Sequence, residues 1–520
     1  MNWLRHCISA VDIRKGLFKL ILQVRKERRQ LYTTKSLYSQ ANYEVNQTIS
    51  WKMLSDDQCE NIFLTALEIL ERTGVEIANK EALDLFEKAG CWVDDNRVRI
   101  PSSLTEWAVR TAPSRITICD RNGKRALSLE TTNVYFGPGY ENVNVLDPLT
   151  GSLRKPVKDD VVNCAIVCDA LKNIDFAMSN GQPTDVNPAL AEVHAFEALV
   201  SNTTKPVVQS VKTLAQAQAV VDIASSIAGG LRELQKNPFL VLHIQTEGTL
   251  IHSDETMAKV IFAAQNGIPF IYNTKLIAGD TAPATPAGAI VLALADVLTG
   301  TILSQLVRQG AHIIAGGLFT IDDQDNEILP LGAPEVELMG TGFANVLRHL
   351  RLPNFGFAGA TDAKISDAQM GLESAFSILH AGLSGTNLIH GCGQMEYGLT
   401  GSLELLVMGD EAMGMTRRIM KGIETNEERL ARGVIDAVQP GGHYLGEEHT
   451  MKYFRSEVWW PTLMNRKRID DWKAEGAKPM GQRVKEKTQD LLKNHLPTKL
   501  TADKVAEIQA IVAKAEASLK

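Results

Sequence analysis

Cysteine is scarce, with seven in 520 residues, scattered and odd in number. That excludes a disulfide framework and points to reduced thiols in a cytoplasmic compartment. No apolar run reaches the roughly eighteen residues of a membrane span; the nearest, Ala287 to Leu303, contains Asp296 and several threonines and serines, as a soluble chain would. No strand-like run leads into a GxGxxG loop, and neither a phosphate loop nor a serine nucleophile elbow is present. An excess of one charge is missing too. Lys and Arg number 54 against 61 Asp and Glu, a net charge of −7, which gives no general reason to expect a nucleic-acid partner. What the chain does have is 44% hydrophobic and 22% charged residues, which rules out disorder, collagen or coiled coil as a description of the whole.

Acidic residues are rare in the first 45 or so positions. Arg5, Arg14, Lys15, Lys19, Arg25, Lys26, Arg28, Arg29 and Lys35 face only Asp12 and Glu27. Residues 1–50 therefore read as a basic extension, either an organelle transit peptide or the product of an upstream start codon. The domain proper is expected to begin near Met53 and run to 465. A charged, helix-prone arm over 466–520 would follow.

From Ser55 the apolar spacing is helical and stops at Thr73-Gly74. The stretch from Ile116 to Val145 alternates and breaks at Gly123, Gly137 and Gly139, which reads as a small antiparallel section. Beyond Asp159, short β-branched or aromatic runs alternate with longer helical patterns. The strand candidates are Ile174–Ser179, Pro206–Val211, Pro238–Ile244, Pro269–Asn273, His312–Ala315, Asn354–Gly359 and Asn387–His390. Seven alternations are what a parallel sheet with helical crossovers requires. An eighth strand, near Val134–Phe136 or at Val434–Val438, would close a (β/α)₈ TIM barrel. A doubly wound open sheet is the other possibility.

In a parallel barrel the chemistry gathers where the strands end, so the residues just after each run are the informative ones. They are polar here: Asn180-Gly181-Gln182, Gln245-Thr246-Glu247, Asn273-Thr274-Lys275, Thr361-Asp362-Ala363-Lys364, and His390 to Tyr397. The last holds a His, a Glu and a Tyr within eight residues, and Gly391 and Gly393 permit close contact with a partner. Asp362 and Lys364 are the second concentration, with capping or a surface ion pair as the bland alternative. Lys275 stands where a Schiff-base lysine of an aldolase-type barrel would stand. Tyr135, Phe136 and Tyr140 surround Gly137-Pro138-Gly139, as core packing or as part of a cage for a quaternary ammonium. Cys164 and Cys168, four apart on a helical pattern, read as two half-buried helix positions ahead of a metal pair, and His443 and His449, six apart, match neither HExxH nor a zinc-finger pair.

The runs Tyr135–Phe176 (YFGPGYENVNVLDPLTG…), Phe355–Phe376 (FGFAGATDAKISDAQMGLESAF), Asn387–Glu411 (NLIHGCGQMEYGLTGSLELLVMGDE) and Gly441–Pro461 (GGHYLGEEHTMKYFRSEVWWP) resemble, in this order, the trimethylamine methyltransferase (MttB) superfamily. The likeness extends from about Met53 to the end. It implies a TIM-barrel enzyme that moves a methyl group from a methylated amine to the cob(I)alamin of a cognate corrinoid protein. No corrinoid would then be tightly bound to this chain, and no metal held by it; a homo-oligomer is expected. Archaeal trimethylamine enzymes of the family carry pyrrolysine, whereas all 520 letters here are standard residues. The sequence is in that respect similar to the branch of glycine betaine methyltransferase.

On this reading His390, Glu396 and Asp362 are the expected catalytic residues. Tyr140, Gln245, Phe357, Lys364 and Tyr397 would bind substrate, and Gly391 and Gly393 would let the corrinoid approach. A barrel lyase or aldolase acting through Lys275, and a non-catalytic binder of quaternary amines, are the competing readings.

Overall fold

The computed structural model describes residues 51–325 and 328–518; the basic stretch 1–50 lies outside the described residues. Seven parallel strands form one sheet. Counting barrel elements alone, these are β1 (Tyr135–Pro138), β3 (Val207–Ser210), β4 (Leu240–Gln245), β5 (Phe270–Ala278), β6 (Ile313–Ile321), β7 (Asn354–Phe357) and β8 (Leu388–Cys392). The missing member, β2, is the short segment 174–177. It joins β1 through Phe136 and Ile174 and β3 through Ala177 and Val207, both in parallel. Since β8 pairs with β1, the ring closes, and the open-sheet alternative is excluded.

Each strand is followed by a helix: α1 (Lys158–Ala170), α2 (Ala191–Asn202), α3 (Leu214–Ala228), α4 (Asp254–Asn266), α5 (Pro286–Val307), α6 (Pro334–His349), α7 (Ala368–Ser384) and α8 (Leu403–Met420). The eighth strand is thus the one near Val134–Phe136. Val434–Val438 belongs instead to a helix, Arg432–Val438, that buries none of its residues. Its β-branched letters mislead because a short apolar run has no period long enough to separate strand from helix.

Strand residues alternate between two cores. On β4, Leu240, Leu242 and Ile244 pack outward under the helices, while Val241 faces the barrel interior with Val208, Ile271 and Ile314. His243 and Gln245 share the parity of Val241, so the upper inward positions of this strand are polar. The hairpin Ile116–Cys119 and Arg125–Leu129 contributes Ile116, Ile118, Leu127 and Leu129 to the same interior cluster, and Cys119 N–H donates to Pro238 O (2.7 Å), just before β4. That hairpin plugs the N-terminal end of the barrel. The other end is left for chemistry.

Two strands outrun their apolar letters. β5 continues to Ala278 and β6 to Ile321, nine residues each. Thr274 and Lys275, which look like loop in the sequence, are paired strand residues opposite Gly317 and Leu318. α5 is, among the described residues, the one helix long and apolar enough to cross a membrane; most of it is buried inside this fold. Near the C-terminus, Met480–Asn494 packs on α8 and α1, and Ala502–Ser518 on α3 and α2.

Candidate active site at the barrel mouth

A cavity of about 460 Å³ opens where the strands end. Its walls come from six strands: Tyr140 and Glu141 follow β1, Gln245 ends β4, Lys275 stands on β5, Leu318 and Thr320 on β6, Phe357 ends β7, and His390 stands on β8. Ile328, Leu329 and Leu331, from the β6–α6 connection, with Gln394 and Tyr397 to Leu399, complete it. The volume suits a small molecule.

The floor is built of rings. His390 stacks on Phe355, with centroids 4.2 Å apart and planes 10° apart, and meets Phe357 edge to face at 5.2 Å. Tyr140 lies 5.5 Å from His390 and 4.7 Å from His243. The Nδ1 of His390 is 2.8 Å from Gly356 O, and because a carbonyl only accepts, that nitrogen carries the proton. Burial lowers the His390 pKa to about 4. Burial first, and then the neighbouring His390, holds His243 well below the usual imidazole value. Both imidazoles are therefore neutral at ordinary pH. Burial also raises the Tyr140 phenol well above its normal range, so its hydroxyl keeps its proton and donates to Gln245 Oε1 (3.1 Å). A cation placed here meets neutral π faces and no competing positive charge from the floor.

One wall is acidic. Glu141 Oε1 accepts from Ser210 Oγ (2.8 Å), and Lys212 Nζ is 3.9 Å from the same oxygen. Behind it Glu192 accepts from Gln209 Nε2 (3.3 Å) and lies 3.6 Å from Lys212. Burial, followed by the charge of Glu141, raises Glu192 to about 7.

The sequence-predicted residues divide by what they touch. Tyr140, Gln245, Phe357, His390 and Tyr397 come together on the cavity. Tyr397 reaches it because Glu396 and Tyr397 are both in the left-handed region, with φ of 52° and 46°, an arrangement that costs about 1 kcal/mol or more per residue and turns the ring inward. The Glu396 carboxylate is directed elsewhere, accepting from Thr400 Oγ1 (2.7 Å). Asp362 is also absent from the cavity wall. Its two oxygens accept from Leu331 N (2.8 Å) and Gly332 N (2.9 Å), so it holds the roof of the cavity. Lys364 is exposed, with its ammonium 5.4 Å over the Tyr397 ring. Gly391 and Gly393 make room for the protein itself: a Cβ would meet the Phe357 ring at 2.5 Å in the first case and Ser402 O at 3.1 Å in the second.

Sequence reasoning missed His243, Glu141 and the roof leucines. Only His243 left a signal, as a polar letter two residues before Gln245 in an otherwise apolar run. Away from the mouth, Cys164 and Cys168 are buried on α1 with sulfurs 3.8 Å apart, and His449 Nε2 is 3.1 Å from Glu428 O on the surface. Among the described residues no group of three His, Cys, Asp or Glu side chains is placed to hold a metal ion.

The family model described as trimethylamine methyltransferase (MTTB) matches residues 22–520. A trimethylamine methyltransferase MttB of Desulfitobacterium hafniense is 32% identical over 464 residues, covering 89% of this chain and 93% of the relative. A glycine betaine methyltransferase from another strain of that organism is 30% identical over 466 residues, covering 89% and 97%. A trimethylamine methyltransferase MttB of Methanosarcina barkeri is 30% identical over 497 residues, covering 92% and 98%. The crystal structure of the monomethylamine methyltransferase (MtmB) of Methanosarcina barkeri aligns with 87% of this chain and 91% of its own, at 12% identity and a TM-score of 0.49.

Proposed function

Because the chain belongs to the trimethylamine methyltransferase family, we propose that its barrel binds a quaternary methylated amine, such as glycine betaine, and presents one methyl to the corrinoid of a separate carrier protein. The observation that carries this reading is the set of neutral rings on a small cavity, Tyr140, Phe357 and His390, backed by His243 and Phe355, with Glu141 on the cavity wall. A fixed positive charge is attracted by such faces by roughly 0.5–2 kcal/mol each and by a carboxylate beside them. Both the trimethylamine and the glycine betaine enzymes are relatives at similar identity. The balance is tipped toward a quaternary substrate by chemistry. A quaternary nitrogen leaves as a neutral tertiary amine, so loss of a methyl needs no proton donor, and the neutral, buried histidines have none to spare.

The corrinoid, when presented, supplies the cobalt nucleophile that accepts the methyl. The rim fits such a partner in its chemistry, since Leu318, Ile328, Leu329, Leu331 and Leu399 make an apolar border above a cavity that holds a small molecule and leaves the macrocycle outside. This chain's own residues bind the ammonium, fix which methyl points outward and exclude water. Tyr140 and His390 provide the faces; Asp362, through Leu331 and Gly332, holds the roof over them. The protein alone is expected to be colourless and inactive.

The test mixes the enzyme, its corrinoid protein and a reductant with glycine betaine, choline, tetramethylammonium or trimethylamine, and follows the change from the cob(I)alamin to the methylcob(III)alamin spectrum. Turnover with a quaternary amine supports the reading. Turnover with trimethylamine alone would overturn it. A ring rather than a hydroxyl should matter at position 140. Tyr140→Phe is expected to keep KM within about threefold, whereas Tyr140→Leu raises it about tenfold. Equal losses in the two variants would assign the effect to the hydroxyl's bond with Gln245 instead.

A further inference from the structure

The cavity has two charged walls, and they face each other. Glu141 follows β1 and Lys275 stands on β5, which are opposite members of a ring of eight strands. Glu141 already has company in Ser210 and Lys212. Lys275 is exposed within the cavity, and among the described residues no hydrogen bond or ion pair reaches its ammonium. On the adjacent strand β4, Gln245 is paired with Asn273, two residues before Lys275, and accepts from the Tyr140 hydroxyl through Oε1, which leaves its amide N–H groups as donors. A site that had only to hold a cation would be weakened by an unneutralised ammonium in its wall. A site that holds a cation at one end and an anion at the other would require one.

We propose that Lys275, assisted by the Gln245 amide, is the specificity-determining residue that binds an anionic group of the substrate, across the cavity from the rings that hold its ammonium. This rests on the function proposed above and adds to it. The substrate is selected as a zwitterion, and its orientation is fixed by charge at both ends, so the methyl-bearing nitrogen stays near β1, β7 and β8. An ammonium–carboxylate contact in a partly enclosed site is a strong form of hydrogen bond.

The experiment titrates the full-length enzyme, without corrinoid protein, with two probes by calorimetry: glycine betaine, which carries a carboxylate, and tetramethylammonium, which does not. Lys275→Met is expected to lose about tenfold or more in affinity for glycine betaine, and to bind tetramethylammonium as well as or better than the wild type. Lys275→Arg should recover most of the betaine affinity. Equal affinities of wild type and Lys275→Met for betaine would overturn the role of Lys275 while leaving the function standing. A wild-type protein that binds neither probe would overturn both. So would borohydride trapping of a carbonyl compound on Lys275, since that lysine would then form an imine rather than an ion pair.

Discussion

Gly391→Ala is expected to lose most of the affinity for the quaternary amine proposed as substrate and about 3 kcal/mol of stability. The residue has a φ of +106°, a backbone conformation that a side chain strains by itself. A Cβ there would lie 2.5 and 2.7 Å from two carbons of the Phe357 ring and 3.0 Å from Ala358 O. The carbonyl is fixed, because it belongs to the turn that leaves β7, so the ring must move. Phe357 lines the cavity and meets His390 edge to face; displaced, it takes space from the substrate and breaks the ring cluster at once.

Gly393→Ala separates the two effects. Its φ of +89° brings a similar backbone penalty, but its nearest atoms, Ser402 O at 3.1 Å and Leu406 Cβ at 3.3 Å, are away from the cavity. It should lose stability and keep affinity. Thermal unfolding and betaine titration of both variants distinguish the cases, and a Gly391→Ala enzyme with unchanged affinity would mean that Phe357 is no part of the binding site.

Most of the barrel was legible because strands buried on both faces must be written in β-branched and aromatic letters, and crossover helices must lie between them. The limits were set where one face stops being apolar. Past Asn273, the outward residues Leu276 and Ala278 still pack under helices, but the inward ones, including Lys275, face a cavity, so the strand's letters look like a loop. Gly316-Gly317 hides the continuation of β6 in the same way. β2, by contrast, lies within the expected run Ile174–Ser179, though only single bridges at Ile174 and Ala177 tie it to its neighbours.

For the site, strand-end position identified which polar residues are near the mouth but not which way they point. Tyr140, Gln245 and His390 face the cavity. Asp362, with the same kind of position, spends its carboxylate on backbone some thirty residues away, and nothing in its own loop announces Leu331 and Gly332 as partners. His243 was masked by its apolar neighbours. Its Nδ1 is buried without a partner, while its Nε2 lies 3.4 Å from the Tyr140 hydroxyl, so it backs the Tyr140 ring from below.

Replacing Glu337 with methionine should stabilise the protein by about 3 kcal/mol at pH 7. Glu337 is on α6, 6% exposed, with Oε1 lacking any hydrogen-bond partner; Thr341, one turn on, also has an unpartnered buried oxygen. Burial alone raises its pKa from 4.5 to about 8. The folded state thus holds a proton that the unfolded state releases, and folding takes one up between those two values. Stability from this group is therefore undiminished below about pH 4.5, falls by about 1.4 kcal/mol per pH unit up to about 8, and is constant above. The methionine variant has no such slope, and its thioether fills a similar volume without a polar atom to desolvate. Denaturant unfolding of the two proteins at a series of pH values should give curves that nearly coincide at pH 4.5 and diverge steadily to pH 8. A constant difference across that range would show that packing, not ionisation, separates them, and would place the Glu337 carboxyl in contact with water.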